Sequence, residues 1–229
     1  MTKRPHSRSV EDYLKAIYGL SHGDAAASTS AIADVLDIQP ASVTGMIKRL
    51  AEAGLVEHAP YKGVRLTARG SRDALRVVRR HRILETYLCQ RLGYAWDDVH
   101  DEAERLEHAA SEELIEKMAA AIGSPAYDPH GAPIPTRTGD VERVDPSTLA
   151  DARPGERVRI RAVRDEDSAD LRSMAAVGLV PGARLVVSTA QSVDGAVEVR
   201  VGEAGEQHKT IQADLARHIY VVPDEEHGG

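Results

Sequence analysis

Six of the chain's eleven prolines, Pro125, Pro129, Pro133, Pro135, Pro146 and Pro154, fall between residues 124 and 154. Proline fixes φ and has no N–H to donate, so neither a long helix nor a central strand can run through that stretch. The fold must be assembled from what lies on either side. Ahead of the prolines, apolar residues recur at helical spacing; behind them, they alternate. The segment itself reads first as a tether. The second reading is an extended strap docked on a small barrel, whose grooves accept proline-containing chain.

The front half reads as helices and one hairpin. Ser9 is the expected N-cap of a first helix, with Val10, Tyr13, Leu14, Ile17 and Tyr18 at helical spacing to about Ser21, before a turn at Gly23-Asp24. A short second helix is expected over Ser30 to Leu36, and a third from Pro40 to about Ala53, closed by Gly54. Leu55 to His58 and Val64 to Leu66 then read as strands around a Pro-Gly turn. Two helices across a tight turn followed by a two-stranded wing is the order of a winged helix-turn-helix, whose second helix enters the DNA major groove. A fourth helix, capped by Thr67 and rich in arginine, is expected to about Arg91, and a fifth from Asp97 or Asp98 to about Ile122. Beyond the prolines, Arg157 to Val163, Leu185 to Val187, Val197 to Val201 and Tyr220 to Val222 read as strands, with a short helix over Asp167 to Ala176. Such a run of short strands suggests a small barrel.

Net charge is −7, yet residues 1–91 carry 15 Lys and Arg against 9 Asp and Glu, while residues 92–229 carry 14 against 27. A basic front joined to an acidic remainder is expected where only one part meets phosphate. No apolar run is long enough for a membrane span and the N-terminus lacks a signal-peptide core, so a cytoplasmic protein is expected. The single Cys89 excludes an internal disulfide or a Cys-rich zinc site, and reads as a buried structural thiol.

The stretch VHDEAERLEH places His100, Glu104, Glu107 and His108 on one helical stripe. Two carboxylates and one imidazole from Glu104, Glu107 and His108 could converge on a divalent cation; the alternative is a solvated, salt-laced face. His81 and Glu85 lie one turn apart on the arginine-rich helix, and the first helix opens with Glu11 and Asp12. Asp12 could equally be the acid of a capping box started by Ser9. No phosphate-binding glycine loop, HExxH or GxSxG motif is present, and no base or nucleophile motif accompanies the histidines, so an enzyme is not expected.

Taken in order, SVEDYLKAIYGL (9–20), LDIQPASVTGMIKRLAEAGLV (36–56), RRHRILETYL (79–88), VHDEAERLEH (99–108) and YDPHGAPIP (127–135) resemble the diphtheria-toxin-repressor family of metal-dependent transcriptional regulators, with VPGARL (180–185) a fainter match to its SH3-like domain. The resemblance implies a mainly α chain with three parts: a winged helix-turn-helix DNA-binding domain (1–70), a helical dimerisation and metal-binding domain with the Pro-rich linker (71–145), and a small SH3-like β-barrel (146–229). It implies a primary metal site at Asp12, Glu104, Glu107 and His108, and an ancillary site at His81, Glu85 and His100, to which Asp167 and Asp170 add ligands. Iron-responsive members place Met and Cys at the positions of Asp12 and Glu104, whereas manganese-responsive members have carboxylates, as here. Oxygen donors with one imidazole suit a hard ion, so Mn²⁺ is expected, with Fe²⁺ the alternative and Zn²⁺, Co²⁺ or Cd²⁺ able to substitute in vitro. Some manganese members carry a further Glu where this chain has Lys15, which cannot ligate and puts their closely spaced metal pair in question.

A cation needing both Asp12 and the later helix would tie the DNA-reading part to the helical part. The expected partner is then a palindromic double-stranded operator bound by a homodimer, with no membrane and no small organic substrate. Gln39, Ala41, Ser42 and Thr44 are the candidates to reach base edges. Lys48, Arg49, Lys62 and Arg65 are the candidates for phosphate contacts, which position without specifying. Relatives often carry a long polar side chain at Gly45, so its absence points to apolar contact and DNA shape. The competing readings are an iron-responsive regulator of the same family and a winged-helix regulator indifferent to metal.

Overall fold

The computed structural model describes residues 6–21, 26–59, 63–142, 147–164, 167–189, 195–202 and 207–224. The turn expected at Gly23-Asp24, the tip of the wing and Lys62 lie outside them. The chain divides into two compact units. One runs to His81 and includes Glu107–Ala110 and Pro135–Glu142; the other takes Arg82–Leu106, Ser111–Ile134 and Arg143 onward.

The first unit is the winged helix-turn-helix. It holds α1 (Arg8–Leu20), α2 (Thr29–Val35), α3 (Pro40–Glu52), β1 (Val56–Ala59), β2 (Gly63–Leu66) and the opening of α4 (Ala68–Leu92). Tyr13, Leu14 and Ile17 of α1 pack with Ile32 of α2, with Val43, Ile47 and Leu50 of α3, and with Leu55 and Val64. Each fully buried aliphatic side chain contributes about 1.5–3 kcal/mol by leaving water. The N-cap of α1 is Ser7 rather than Ser9, which puts Asp12 beyond the N3 position and removes the capping-box reading of it. Pro40 begins α3, where its missing N–H costs nothing.

The wing is antiparallel, pairing Val56 with Leu66 and Ala59 with Gly63. Ala27 adds a third rung, exchanging two 2.9 Å backbone hydrogen bonds with Val64. Thr67 joins wing to α4: its hydroxyl accepts from the Gly70 N–H at 3.0 Å and donates to the Gly54 carbonyl at 2.9 Å.

The second unit carries the rest of α4, α5 (Val99–Glu107), α6 (Glu112–Ala121) and a five-stranded antiparallel sheet. Its strands are β3 (Arg157–Val163), β4 (Arg184–Thr189), β5 (Val197–Val201), β6 (Gln207–Ile211) and β7 (Ile219–Pro223), in the spatial order β6-β5-β4-β3-β7. The helices α7 (Ser168–Ala176) and α8 (Ala213–Arg217) complete this small SH3-like domain, whose core centres on Ile160, Leu171, Met174, Val197 and Ile219. Nothing in the sequence pattern announces β6 or α8: Gln207–Ile211 buries only its last residue, so it lacks alternation.

Two expectations give way here. The single fifth helix is two, because Ser111 accepts a 3.2 Å hydrogen bond from Leu114 N–H and starts α6, with Glu112 and Glu113 favourably placed in its first turn. The Pro-rich segment is not a tether between residues 126 and 134. It folds into a narrow hairpin, with Ile134 N–H bonded to Ala126 O at 2.8 Å and Asp128 N–H to Ala132 O at 3.0 Å. That hairpin docks on β3: Val163 N–H donates to His130 O at 2.9 Å, and the Arg161 guanidinium lies 3.8 Å over the Tyr127 ring. Gly131, at φ +85°, makes the approach possible, since a Cβ there would fall 2.2 Å from Arg161 O.

A Cβ at Gly70 would fall 1.9 Å from the Leu55 carbonyl oxygen, whereas one at Gly45 meets nothing within 4 Å. Gly70→Ala is therefore expected to cost about 1–3 kcal/mol through a forced backbone shift, while Gly45→Ala gains up to about 1 kcal/mol of helix propensity. Thermal melts of the two variants check the opposite signs.

Candidate metal centre

Three side chains from two distant parts of the sequence converge in the first unit. Asp12 comes from the second turn of α1, Glu107 from the end of α5, and His108 from the turn that follows it. Their donor atoms all lie within 4.8 Å of one another. His108 Nε2 is 2.7 Å from Asp12 Oδ1 and 3.3 Å from Glu107 Oε1. The break between α5 and α6 leaves His108 just beyond the helix, one residue after Glu107.

The imidazole is held from behind. His108 Nδ1 lies 2.8 Å from Glu11 Oε2, and the other oxygen of Glu11 takes a 2.7 Å ion pair from Arg80 Nη2. Glu11 and Arg80 are buried. A carboxylate behind Nδ1 keeps the proton there and leaves Nε2 to face Asp12 and Glu107, which is the usual way a protein orients a ligating histidine. Breaking the Glu11–Arg80 pair on one side only would strand a buried charge, at a cost of about 3–5 kcal/mol.

Glu107 is fully buried. Its Oε2 accepts from His81 Nδ1 at 2.7 Å and from Lys15 Nζ at 2.9 Å. Burial alone would push this carboxyl up; the hydrogen bond from His81 and the charge of Lys15 outweigh it and hold the group below the ordinary glutamate value. Glu107 is thus ionised and ready to ligate at neutral pH. The oxygen and imidazole donors of Asp12, Glu107 and His108 fit a hard divalent cation.

Glu104, expected in the same site, lies half-buried one turn before His108 on α5. Of the ancillary candidates, His81 Nδ1 lies 2.7 Å from Glu107 Oε2, and Glu85 Oε1 lies 3.3 Å from His100 Nδ1. Glu85 belongs to a second buried group in the second unit, with Asp128 and His130, donor atoms again within 4.8 Å. His130 Nε2 lies 2.7 Å from Trp96 O and is its donor, so Nδ1 faces Glu85 Oε2, 3.8 Å away. Asp128 Oδ1 accepts from the N–H groups of His130 and Ala132, and Oδ2 pairs with Arg82 Nε at 3.3 Å.

Asp167 and Asp170 join none of these groups among the described residues. Asp167 is the N-cap of α7, accepting from Ala169 and Asp170 N–H, and Asp170 lies 3.5 Å from His218. The sequence pattern singles out neither Asp128 nor His130, although an extended segment sets alternate residues on one side. Glu11 and Arg80 carry no signal of their own; only tertiary packing gives them a role.

The expected DNA face is open to solvent. Gln39, Ala41, Ser42, Thr44, Lys48 and Arg49 are exposed along α3 while Val43, Ile47 and Leu50 point inward, and Arg65 is exposed on β2. The arginines of α4 are not part of such a face throughout: Arg79 donates to Pro135 O at 2.7 Å, Arg82 to Pro133 O at 2.6 Å, and Arg80 holds Glu11.

Comparison with known proteins identifies the family. Residues 6–64 match the N-terminal DNA-binding domain of iron-dependent repressors, 67–136 their metal-binding and dimerisation domain, and 147–223 the FeoA domain. A manganese-dependent transcriptional repressor solved in complex with manganese superposes with a TM-score of 0.88 at 37% identity, covering 93% of this chain and 99% of that one. The regulator MntR of Oceanobacillus iheyensis is 36% identical over 114 residues, 50% of this chain and 77% of its own. The iron-dependent repressor IdeR of Mycobacterium tuberculosis is 29% identical over 228 residues, 93% of this chain and 96% of its own. The chain belongs to the diphtheria-toxin-repressor family of metal-dependent transcriptional repressors, which are not enzymes.

Glu11→Gln should lower the melting temperature by stranding Arg80 and lower divalent-metal affinity about 10- to 100-fold by loosening His108; titration calorimetry at a temperature where circular dichroism shows the variant folded checks it. Cys89 offers a pH test. Burial, then the nearby charges of Glu85 and Asp128, push its thiol up to about 11. At pH 8 only about one molecule in a thousand is then thiolate, so alkylation by iodoacetamide should be slow and keep accelerating as pH rises toward that value. A rate that levels off near pH 9 would contradict the burial.

Proposed function

We propose that this chain is a Mn²⁺-activated, DNA-binding transcriptional repressor of metal-homeostasis genes, acting in the cytoplasm as a homodimer on a palindromic operator. The observation that carries the reading is the convergence of Asp12, Glu107 and His108, with His108 oriented by Glu11. Bound there, a divalent ion would supply the positive charge that these three donors share. Asp12 would hold the second turn of α1 to Glu107 and His108. The opposite side of α1, through Tyr13, Leu14 and Ile17, packs in one core with Val43 and Ile47 of α3. Fixing α1 therefore fixes the helix offered to DNA, and an ion that prefers this arrangement shifts the population toward it.

On α3, Gln39, Ala41, Ser42 and Thr44 would meet base edges, while Lys48 and Arg49, with Lys62 and Arg65 of the wing, would take phosphates. Two half-sites need two copies, and the exposed Leu92, Tyr94 and Leu114 of the helical region give a second copy apolar surface to cover. Donors without sulfur favour manganese. The full-length likeness to IdeR supports the iron-responsive alternative.

The test is binding to a duplex from the gene's own upstream region at fixed salt, since phosphate contacts make affinity steeply salt-dependent. EDTA is followed by rising Mn²⁺, Fe²⁺ or Zn²⁺. Affinity should rise at least about tenfold with Mn²⁺, equivalent to about 1.4 kcal/mol of coupling, and Asp12→Ala should abolish the rise. Equally tight binding in EDTA would sink the metal switch, and a response to Fe²⁺ at lower concentration than to Mn²⁺ would favour the iron reading.

A further inference from the structure

Lys15 lies on α1 one turn beyond Asp12 and on the same side of Glu107 as His81. Its ammonium nitrogen is 2.9 Å from Glu107 Oε2 and 3.1 Å from His81 Nδ1. Glu107 is thereby divided. Oε2 is engaged by Lys15 and His81, while Oε1 faces His108 Nε2 at 3.3 Å. The two oxygens of one buried carboxylate thus look into two neighbouring electrostatic sites, and one of them already holds a positive charge.

We propose that Lys15 is a built-in cation that fills the second position on Glu107, so that the centre of Asp12, Glu107 and His108 takes one divalent ion and never a bridged pair. This rests on the reading of those three residues as a metal centre. A divalent ion placed against Oε2 would have to share that oxygen with an ammonium at hydrogen-bond distance, and like charges that close exclude one another. The ammonium also acts in the absence of metal. Glu11, Asp12 and Glu107 bring three carboxylates together; Arg80 answers Glu11 and Lys15 answers Glu107. Asp12, with Arg8 Nε 3.9 Å away, faces His108 Nε2 at 2.7 Å in the metal-free centre, and one divalent ion would complete it.

The experiment is a Mn²⁺ titration of the full-length protein, read by ion counting after dialysis and by electron paramagnetic resonance. Resonance separates isolated Mn²⁺ from exchange-coupled neighbours without reference to DNA binding. Wild type should lose one ion per chain on Asp12→Ala and show no exchange-coupled signal at any loading. Lys15→Glu, which trades the ammonium for a ligand, should bind one ion more than wild type and develop the coupled signal. Counting differences cancels ions held elsewhere in the chain. Lys15→Gln removes the charge without supplying a carboxylate; it should lower the melting temperature of the metal-free protein by several degrees and enlarge the rise that Mn²⁺ produces.

A coupled pair in wild type would overturn the inference while leaving the metal centre intact, and that measurement needs no variant to fold. A folded Lys15→Glu protein that gains no ion, or a Lys15→Gln protein with unchanged metal-free stability, would overturn it as well. If wild type and Asp12→Ala bind equal numbers of ions, the metal centre itself is refuted, and that result is distinguishable from the others.

Discussion

A buried carboxylate is the point on which the first unit turns. Glu107 has no solvent around it, and an ionised carboxylate in that position is tolerated only if every lone pair is answered. Oε2 is answered from α1 through Lys15 and from α4 through His81, while Oε1 faces the unprotonated Nε2 of His108, where a bound cation would serve both. Stretches far apart in the chain are therefore brought together around one charge. The Glu11–Arg80 pair beside it repeats the device and fixes the imidazole. Hydrophobic packing shapes the winged helix-turn-helix, but these charges decide how the first helix sits within it.

Much of this was legible because the informative residues obey local periodicities. Val43, Ile47 and Leu50 at helical spacing, Pro40 at a helix start, and alternation over Arg157–Val163 each correspond to an element with nearly the expected limits. The failures are local ambiguities. Ser7 and Ser9 both precede an apolar run, and only the packed helix shows that the first of them is the cap. Ser111-Glu112-Glu113 is a helix-start signal inside a stretch whose apolar spacing runs on regardless, so the spacing suggests one helix where two exist. The arginines of α4 add to the basic charge of the front half, and only the packed fold shows that three of them tie down backbone carbonyls and a buried glutamate.

The candidate ligands are easier to find in the sequence than the residues that orient them. Asp12, Glu107 and His108 stand out by chemical type and spacing. Glu11 differs from Asp12 by one helical position and points about 100° away from it, so nothing short of the packed fold reveals that it backs the histidine. The hairpin of residues 126–134 teaches the same lesson from the other side. Proline content made it look loose, yet Gly131 and the Asp128 turn lay it against β3 with ladder-type hydrogen bonds.

The half-buried Cys89 has a consequence for the chemistry this chain can respond to. Its thiol stays protonated at neutral pH because burial, and then the charges of Glu85 and Asp128, push it up to about 11. Peroxides and disulfides react with thiolates. The lone sulfhydryl of this member of a metal-dependent family is therefore poorly suited to oxidation chemistry at neutral pH.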